Sequence, residues 1–230
     1  TTTTSLISHI LMEAHFDPTV IIGGHLKTIS HNARMGLGNF LVAEADESDR
    51  SFLNLYPTLA VVTNIDLEHL ETYKDINDIK DTFARFLSNI PFYGKAIVCI
   101  DDPHIRSILP IDHIKTIHYG LTPEADIYAT DIVLHPDHSE FVAHKKNSPS
   151  PLGKVFFAMP GIHNIQNALG AIALSLELDI PFETISLALQ SFQGVDRRFT
   201  YRGSLKGTDI FDDYGHHPNE ILQTLKVARN

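Results

Sequence analysis

The sequence has few of the features that mark secreted or nucleic-acid-binding proteins. Its single cysteine, Cys99, lies in the apolar run Ala96–Ile100. No disulfide framework can form within the chain, which fits a buried thiol in a reducing compartment. The 18 Lys and Arg are outnumbered by 28 Asp and Glu, for a formal net charge of −10. Such a chain is poorly suited to neutralising nucleic-acid phosphates, so we expect no nucleic-acid partner.

Long hydrophobic runs are also lacking. No stretch approaches the ~20 apolar residues of a membrane span, and Leu6–Met12 is interrupted by Ser8 and His9 without a preceding basic region. We therefore expect a cytoplasmic protein without membrane insertion. The chain has no initiator Met, and Thr1–Thr4 run directly into a helical pattern. We interpret it as a fragment, or as an incomplete sequence of a longer chain.

The first hundred residues alternate short apolar strands with helices. This alternation predicts βαβ units and a parallel sheet, whose ligands bind beyond the carboxyl ends of the strands. The predicted strands are Thr19–Ile22, Asn39–Ala43, Leu59–Thr63 and Lys95–Ile100, and the predicted helices are Ser5–His15, Ile76–Asn89 and a short helix capped by Asp101–Pro103.

The remainder of the chain has a different pattern. A smaller, partly antiparallel sheet is predicted at Lys115–Tyr119, Ile127–Leu134, Glu140–His144 and Lys154–Ala158. Helices follow at His163–Glu177 and Pro181–Phe192, then two short β runs at Phe199–Gly203 and Thr208–Phe211 and a final helix. We place a domain boundary near Val195–Arg197, which divides the chain into residues 1–196 and 197–230.

Polar residues follow two of the predicted strands. Glu44 opens the acidic string Glu44–Asp49 directly after an apolar strand, where a carboxylate could bind Mg²⁺ together with phosphate. A solvated acidic loop explains the composition equally well. His69 follows the next strand, although a lone histidine is more often structural or simply exposed.

Other motifs have both a structural and a functional interpretation. Thr1–Thr4 open a helix as a phosphate-binding loop does, but the Gly-rich half and the Lys of that motif are lacking. Gly161–Asn167 opens a helix, where asparagine serves as a cap or as an amide that recognises a purine edge. The pairs Arg197-Arg198 and His216-His217 could bind phosphates or be surface charge.

The order and spacing of these motifs resemble the Mur ligases over nearly the whole chain. The matching motifs are Thr1–Thr4, EADESD at Glu44–Asp49, Thr63-Asn64 with His69 and Thr72-Tyr73, PFYG at Pro91–Gly94, Asp101–Pro103, GIHNIQN at Gly161–Asn167, FQGVDRRF at Phe192–Phe199 and DDYGHHP at Asp212–Pro218. EADESD and DDYGHHP resemble the L-alanine-adding member of the family in particular.

The resemblance implies an α/β fold: a P-loop-type parallel sheet flanked by helices, with a small antiparallel sub-sheet. Residues 1–196 would form the central ATP-binding domain, without its Gly-rich loop and Lys, and residues 197–230 would begin a Rossmann-like C-terminal domain. It also implies a bacterial enzyme of peptidoglycan biosynthesis that uses ATP and two Mg²⁺ ions. That enzyme would join L-alanine to the carboxylate of UDP-N-acetylmuramate through an acyl phosphate.

Site roles follow from the resemblance by motif position. Thr1, Thr2 and Glu44 correspond to the residues that hold nucleotide phosphate and the first Mg²⁺, and His69 corresponds to the ligand of a second Mg²⁺ near the acyl phosphate. The groups around the nucleotide correspond to His163, Asn164, Asn167, Arg198, Asp213 and Tyr214. Asn32, Arg34, His69 and His216 are expected to face the substrate, and Glu44, His69, Arg198 and His216 are expected to support catalysis.

Two alternatives stay open. A related ligase attaches a recycled tripeptide to the same UDP-sugar, and Ser48 in EADESD favours the L-alanine member over it. The chain alone could also be a nucleotide-binding module without ligase activity, because it lacks the phosphate-loop Lys. The helix segment Asp81–Phe86 contains no lysine, which disfavours family members with a carbamylated lysine ligand.

Overall fold

The computed structural model describes residues 1–26 and 31–229. Its helices are α1 (Thr2–Glu13), α2 (Ile76–Ser88), α3 (Pro103–Ile108), α4 (Ile162–Glu177), α5 (Phe182–Ser191) and α6 (Pro218–Val227), with a short 3₁₀ helix at Ser51–Asn54. Its strands are β1 (Thr19–Leu26), β2 (His31–Arg34), β3 (Leu41–Ala43), β4 (Leu59–Val62), β5 (Lys95–Cys99), β6 (Lys115–Gly120), β7 (Ile127–Leu134), β8 (Ser139–Lys145), β9 (Gly153–Phe157), β10 (Thr200–Leu205) and β11 (Thr208–Asp212).

None of the helices within these described ranges combines the length and the apolar character needed to cross a membrane.

A six-stranded sheet forms the centre of the molecule, in the order β4-β5-β6-β7-β8-β9. Strands β4 to β7 are parallel, whereas β7, β8 and β9 are antiparallel. The predicted α/β fold is therefore confirmed. The antiparallel strands β8 and β9 extend the parallel sheet beyond β7 and do not form a separate sheet. Strands β7 and β8 are antiparallel because a tight turn joins them, and only an antiparallel pair allows so short a connection.

A second sheet has the order β2-β1-β3. Strands β1 and β3 are parallel, with Ile21 opposite Ala43, and β2 is antiparallel to β1. The sequence did not predict β2, since His31–Arg34 is polar and has no apolar alternation. The two β runs near the C-terminal end form the hairpin β10–β11.

Helices α1, α4 and α5 pack against one another and help to cover the large sheet. The inward positions of α1 include Leu6 and Ile10, which are completely buried. Tyr119 on β6 lies beneath α4 at Gly170, where a Cβ would come within 2.9 Å of the tyrosine ring. The Tyr119 hydroxyl donates a hydrogen bond to the Val62 carbonyl at 3.2 Å. This contact ties α4 and β6 to the strand that leads into the polar edge of the sheet.

Stability should fall with acid because α1 buries His9. The side chain is 3% exposed, and its Nε2 lies 3.0 Å from the Ser191 hydroxyl. Burial lowers the pKa of His9, although the Glu13 carboxylate opposes this shift. The unfolded chain therefore binds a proton more readily than the folded chain, and stability is lost as pH falls through roughly 6.5, the unfolded value. We expect His9→Gln to flatten the dependence of unfolding free energy on pH between about 5 and 7.

Denaturant unfolding at a series of pH values measures this slope. His113→Gln serves as the control because it removes an exposed histidine. This variant should have the wild-type slope. Equal slopes in wild type and His9→Gln would refute the assignment.

Candidate functional site

A cleft of about 1830 Å³ lies at the carboxyl ends of β3 and β4. Its walls also include the N-terminal ends of α1 and α4 and the segment from Arg198 to Val227. The two strands belong to different sheets, and ligands commonly bind beyond the carboxyl ends of parallel strands. The predicted site residues on the cleft wall are Thr1, Thr2, Glu44, His69, His163, Asn164, Asn167, Arg198, Asp213, Tyr214 and His216.

Glu44 lies where β3 ends. Its backbone N–H donates to the Ile21 carbonyl at 2.9 Å, so the β1–β3 ladder fixes the position of the residue. One carboxylate oxygen accepts a hydrogen bond from the Thr1 hydroxyl at 2.6 Å, and the other accepts one from the Gly23 N–H at 2.7 Å. A carboxylate and a hydroxyl in contact provide the oxygen ligands that Mg²⁺ prefers.

His69 lies in a second group of possible metal ligands, together with Glu47 and Glu68. The His69 Nε2 is 3.6 Å from a Glu47 carboxylate oxygen and 3.7 Å from one of Glu68. The three ligand atoms lie within 4.8 Å of one another. Burial raises the pKa of Glu47, because the site disfavours an uncompensated negative charge. A bound cation would remove that cost.

The loop that carries Glu47 is fixed by an aromatic contact. The Tyr73 hydroxyl donates to the Glu47 carbonyl at 2.6 Å, and the Arg50 guanidinium lies over the Tyr73 ring at 4.6 Å. Sequence analysis singled out His69 but not Glu47 or Glu68 as its partners. The pair Glu68-His69 was visible in the sequence, whereas the approach of Glu47 depends on the fold.

Side chains from α1 and α4 meet on the cleft wall. The Thr3 hydroxyl lies 3.0 Å from the Asn167 amide oxygen. The Asn164 amide donates to the Pro160 carbonyl at 2.7 Å, so this amide also stabilises the start of α4. His163 lines the cleft, and burial lowers its pKa. Its Nδ1 has no hydrogen-bond partner in the part of the chain that the structure describes.

The C-terminal segment contributes one cation to this wall. Arg198 lies 3.4 Å from the Glu220 carboxylate. Burial alone would raise the pKa of Glu220, but the His216 N–H and the Arg198 charge lower it overall. His216 is 66% exposed at the rim. Asp213 accepts hydrogen bonds from the backbone N–H groups of Phe199 and Gly215, both at 2.8 Å, and so organises the turn that presents Tyr214.

His217 and Asn219 attach this segment to the His69 loop. The His217 Nδ1 lies 3.3 Å from a Glu68 carboxylate oxygen, and the Asn219 amide donates to Asp66. His217 also caps α6. Sequence analysis noted the His216-His217 pair but assigned a role only to His216. No local pattern could indicate these partners, because they lie in a distant part of the chain.

Asn32 and Arg34 are not brought to the cleft. Both belong to β2, and Asn32 is exposed. The Arg34 guanidinium forms an ion pair with Asp17 and donates to the Pro18 carbonyl at 3.0 Å. These contacts give Arg34 a structural task, and the predicted contact with substrate stays a prediction.

Known proteins of similar sequence cover all of the chain. UDP-N-acetylmuramate–L-alanine ligase of Geobacter sp. strain M21 is 52% identical over 229 residues, which are 100% of this chain and 49% of that relative. The chain thus spans about half the length of the curated relatives it matches.

Solved structures agree on the fold. UDP-N-acetylmuramate–alanine ligase of Thermotoga maritima superimposes with a TM-score of 0.84 at 27% identity, covering 100% of this chain and 51% of that one. A murein peptide ligase of Psychrobacter arcticus gives a TM-score of 0.77 at 26% identity, covering 100% and 52%. The Mur ligase middle domain model matches residues 1–175. The chain therefore belongs to the Mur ligase family.

Proposed function

We propose that this chain forms the nucleotide-binding and metal-binding part of an ATP-dependent ligase in peptidoglycan biosynthesis. The reaction is the joining of L-alanine to the carboxylate of UDP-N-acetylmuramate. The observation that carries the proposal is the cleft, whose wall includes the Thr1–Glu44 pair, the cluster of Glu47, Glu68 and His69, and Arg198. The 52% identical relative bears the name of that activity.

The donor atoms fit two Mg²⁺ ions. The Thr1 and Glu44 oxygens would hold one ion together with nucleotide phosphate. Glu47, Glu68 and His69 would hold the other. Burial raises the pKa of Glu47, and a cation beside it would offset that cost. When bound, these ions supply neutralisation of the charge that develops during phosphoryl transfer.

The chain's own residues position the reactants. Thr1 and Thr2 present hydroxyls at the start of α1, where backbone N–H groups favour phosphate. His163, Asn164 and Asn167 face the nucleoside, and Arg198 reaches its phosphates. Tyr214, presented by the Asp213 turn, and His216 at the rim close the cleft over the substrate. Residues 1–196 form the central domain in this proposal, and residues 197–230 begin the next one.

The chemistry proceeds in two transfers. A carboxylate oxygen of UDP-N-acetylmuramate attacks the γ-phosphorus of ATP, and ADP leaves with the bonding electron pair. The L-alanine nitrogen then attacks the acyl carbon of the resulting acyl phosphate. The tetrahedral intermediate expels phosphate, and the nitrogen loses a proton to solvent or a base. Positioning and charge neutralisation account for most of the acceleration in such reactions.

The test is alanine-dependent release of phosphate by the enzyme that carries this sequence, with UDP-N-acetylmuramate, ATP and Mg²⁺. The same assay with the tripeptide L-alanyl-γ-D-glutamyl-meso-diaminopimelate tests the second candidate, which the likeness to the murein peptide ligase supports. We expect turnover with alanine and little with the tripeptide. Turnover with the tripeptide alone would replace the first proposal by the second, and turnover with neither would reject both.

A further inference from the structure

A cluster of two histidines and a glutamate lies on the β7–β8 hairpin, and none of its members lines the cleft described above. His135 and His138 flank the turn, which is closed by a hydrogen bond from the His135 N–H to the His138 carbonyl at 3.0 Å. Glu140 follows on β8. The three ligand atoms lie within 4.8 Å of one another. We propose that His135, His138 and Glu140 bind a divalent transition-metal ion of the zinc type.

The distances bring the three ligand atoms close to one ion, and rotation of one imidazole ring would complete the site. A Glu140 carboxylate oxygen lies 3.7 Å from the His138 Nε2 and 4.0 Å from the His135 Nε2. A tetrahedral ion with bonds near 2.0–2.1 Å requires its ligand atoms to be about 3.3 Å apart. The His135 ring is stacked on the His138 ring, and two parallel rings cannot both direct an in-plane lone pair at one ion. His135 is 38% exposed, so its ring has room to rotate out of the stack when the ion binds. Three protein ligands leave the fourth position to water.

His138 already has the surroundings of a metal ligand. Its Nδ1 lies 2.7 Å from the Asp137 carboxylate, which favours the tautomer with a proton on Nδ1 and a free lone pair on Nε2. A carboxylate behind a ligating imidazole is the usual outer support of a zinc site. The His138 ring is stacked between His135 at 4.1 Å and Phe156 at 4.5 Å. The ligand that is most enclosed is therefore also the one whose orientation is fixed.

Glu140 has an equivalent support. Its other carboxylate oxygen lies 2.5 Å from the Lys154 ammonium, so the first oxygen remains directed at the histidines. Two imidazoles and one carboxylate match zinc, nickel or copper rather than Mg²⁺, which takes oxygen ligands. With two imidazoles in place of one, this donor set favours such an ion more than the cleft cluster of Glu47, Glu68 and His69 does. The ion would connect the two strands of the hairpin across their turn.

The experiment is a zinc titration of the untagged chain by calorimetry in excess Mg²⁺, which occupies the oxygen-rich positions. We expect wild type to bind one equivalent of zinc. His138→Asn should lower the zinc affinity by at least about 100-fold, and Asp137→Asn should lower it by about 10- to 100-fold. Zinc should raise the melting temperature of wild type but not of His138→Asn. Without metal, the two proteins should melt alike, which excludes misfolding as the cause.

Two controls locate the ion. His113→Asn removes an exposed histidine elsewhere and should bind zinc as wild type does. His69→Asn removes the histidine of the cleft cluster and should also retain the equivalent. Wild-type zinc affinity in His138→Asn would overturn the proposal, and so would loss of the equivalent in His69→Asn with retention in His138→Asn.

Discussion

Glu44→Gln is expected to lower alanine-dependent phosphate release by about 100- to 1,000-fold at saturating substrates, the usual cost of removing one group that stabilises transition-state charge. The substitution keeps the size of the side chain but leaves one acceptor oxygen, which can accept from either the Thr1 hydroxyl or the Gly23 N–H. It removes the negative charge that would hold Mg²⁺ and one of these two hydrogen bonds. Steady-state rates over a range of Mg²⁺ concentrations measure the effect, and half-maximal activity should require more Mg²⁺ than in wild type.

Asp49→Asn is the matched control for Glu44→Gln. Asp49 belongs to the same acidic string and loses the same charge, but its carboxylate accepts a hydrogen bond from the Ser51 N–H outside the cleft wall. We expect near-wild-type turnover from it. If both variants lost activity equally, the general negative charge of the loop would explain the result and the specific role of Glu44 would be rejected.

His69→Asn is expected to reduce kcat about 100-fold while leaving the KM for ATP nearly unchanged. His69 lies beside Glu47 and Glu68, so its loss should weaken the second Mg²⁺ that acts on the reacting phosphoryl group rather than on nucleotide binding. The residue has a φ of 54°, a left-handed conformation that asparagine tolerates better than most residues. Initial-rate kinetics with ATP and Mg²⁺ varied separately measure the split between kcat and KM.

His113→Asn tests whether the backbone, rather than the ligand, explains such a loss. His113 has a φ of 60° and is exposed, so the two substitutions impose the same change on the same backbone conformation. Unchanged kinetics in His113→Asn are required. A rise in the KM for ATP with unchanged kcat in His69→Asn would instead place His69 at the nucleotide.

Much of the fold could be predicted because its signals are local. Apolar strands end at polar residues in the sequence, and those boundaries placed Glu44 and His69 just beyond the ends of β3 and β4. The sequence predicted one parallel sheet for these strands, whereas the structure places them in two different sheets. Asp102 caps α3 through the Ile105 N–H at 2.8 Å, as its position before Pro103 predicts. Helix α1 begins at Thr2, whereas the predicted helix began at Ser5. The prediction began late because the polar residues Thr2–Thr4 have no apolar periodicity that would indicate a helix.

The remaining features depend on contacts between distant segments. Asn219 and Asp66 are 153 residues apart in sequence, and nothing near either one indicates the other. Strand β1 runs on through Gly23 and Gly24 to Leu26, although paired glycines usually end a strand prediction. Glycine is needed at 24 because a Cβ there would lie 2.8 Å from the Thr1 side chain. The sequence shows the glycines but not the neighbour that requires them.

The limited apolar packing of α6 has a thermodynamic consequence. This helix buries only Val227 among its described residues, while Ile221, Leu222 and Leu225 remain between 43% and 55% exposed. Polar contacts with Asp66 and Glu68 hold its start. In a polypeptide limited to residues 1–230, a helix with so little apolar burial opens at low free energy, and its amides exchange with solvent early. A ligand that contacts both α6 and the carboxyl ends of β3 and β4 binds only molecules in which α6 is docked. Its apparent dissociation constant is therefore the intrinsic constant divided by the fraction of molecules with α6 docked.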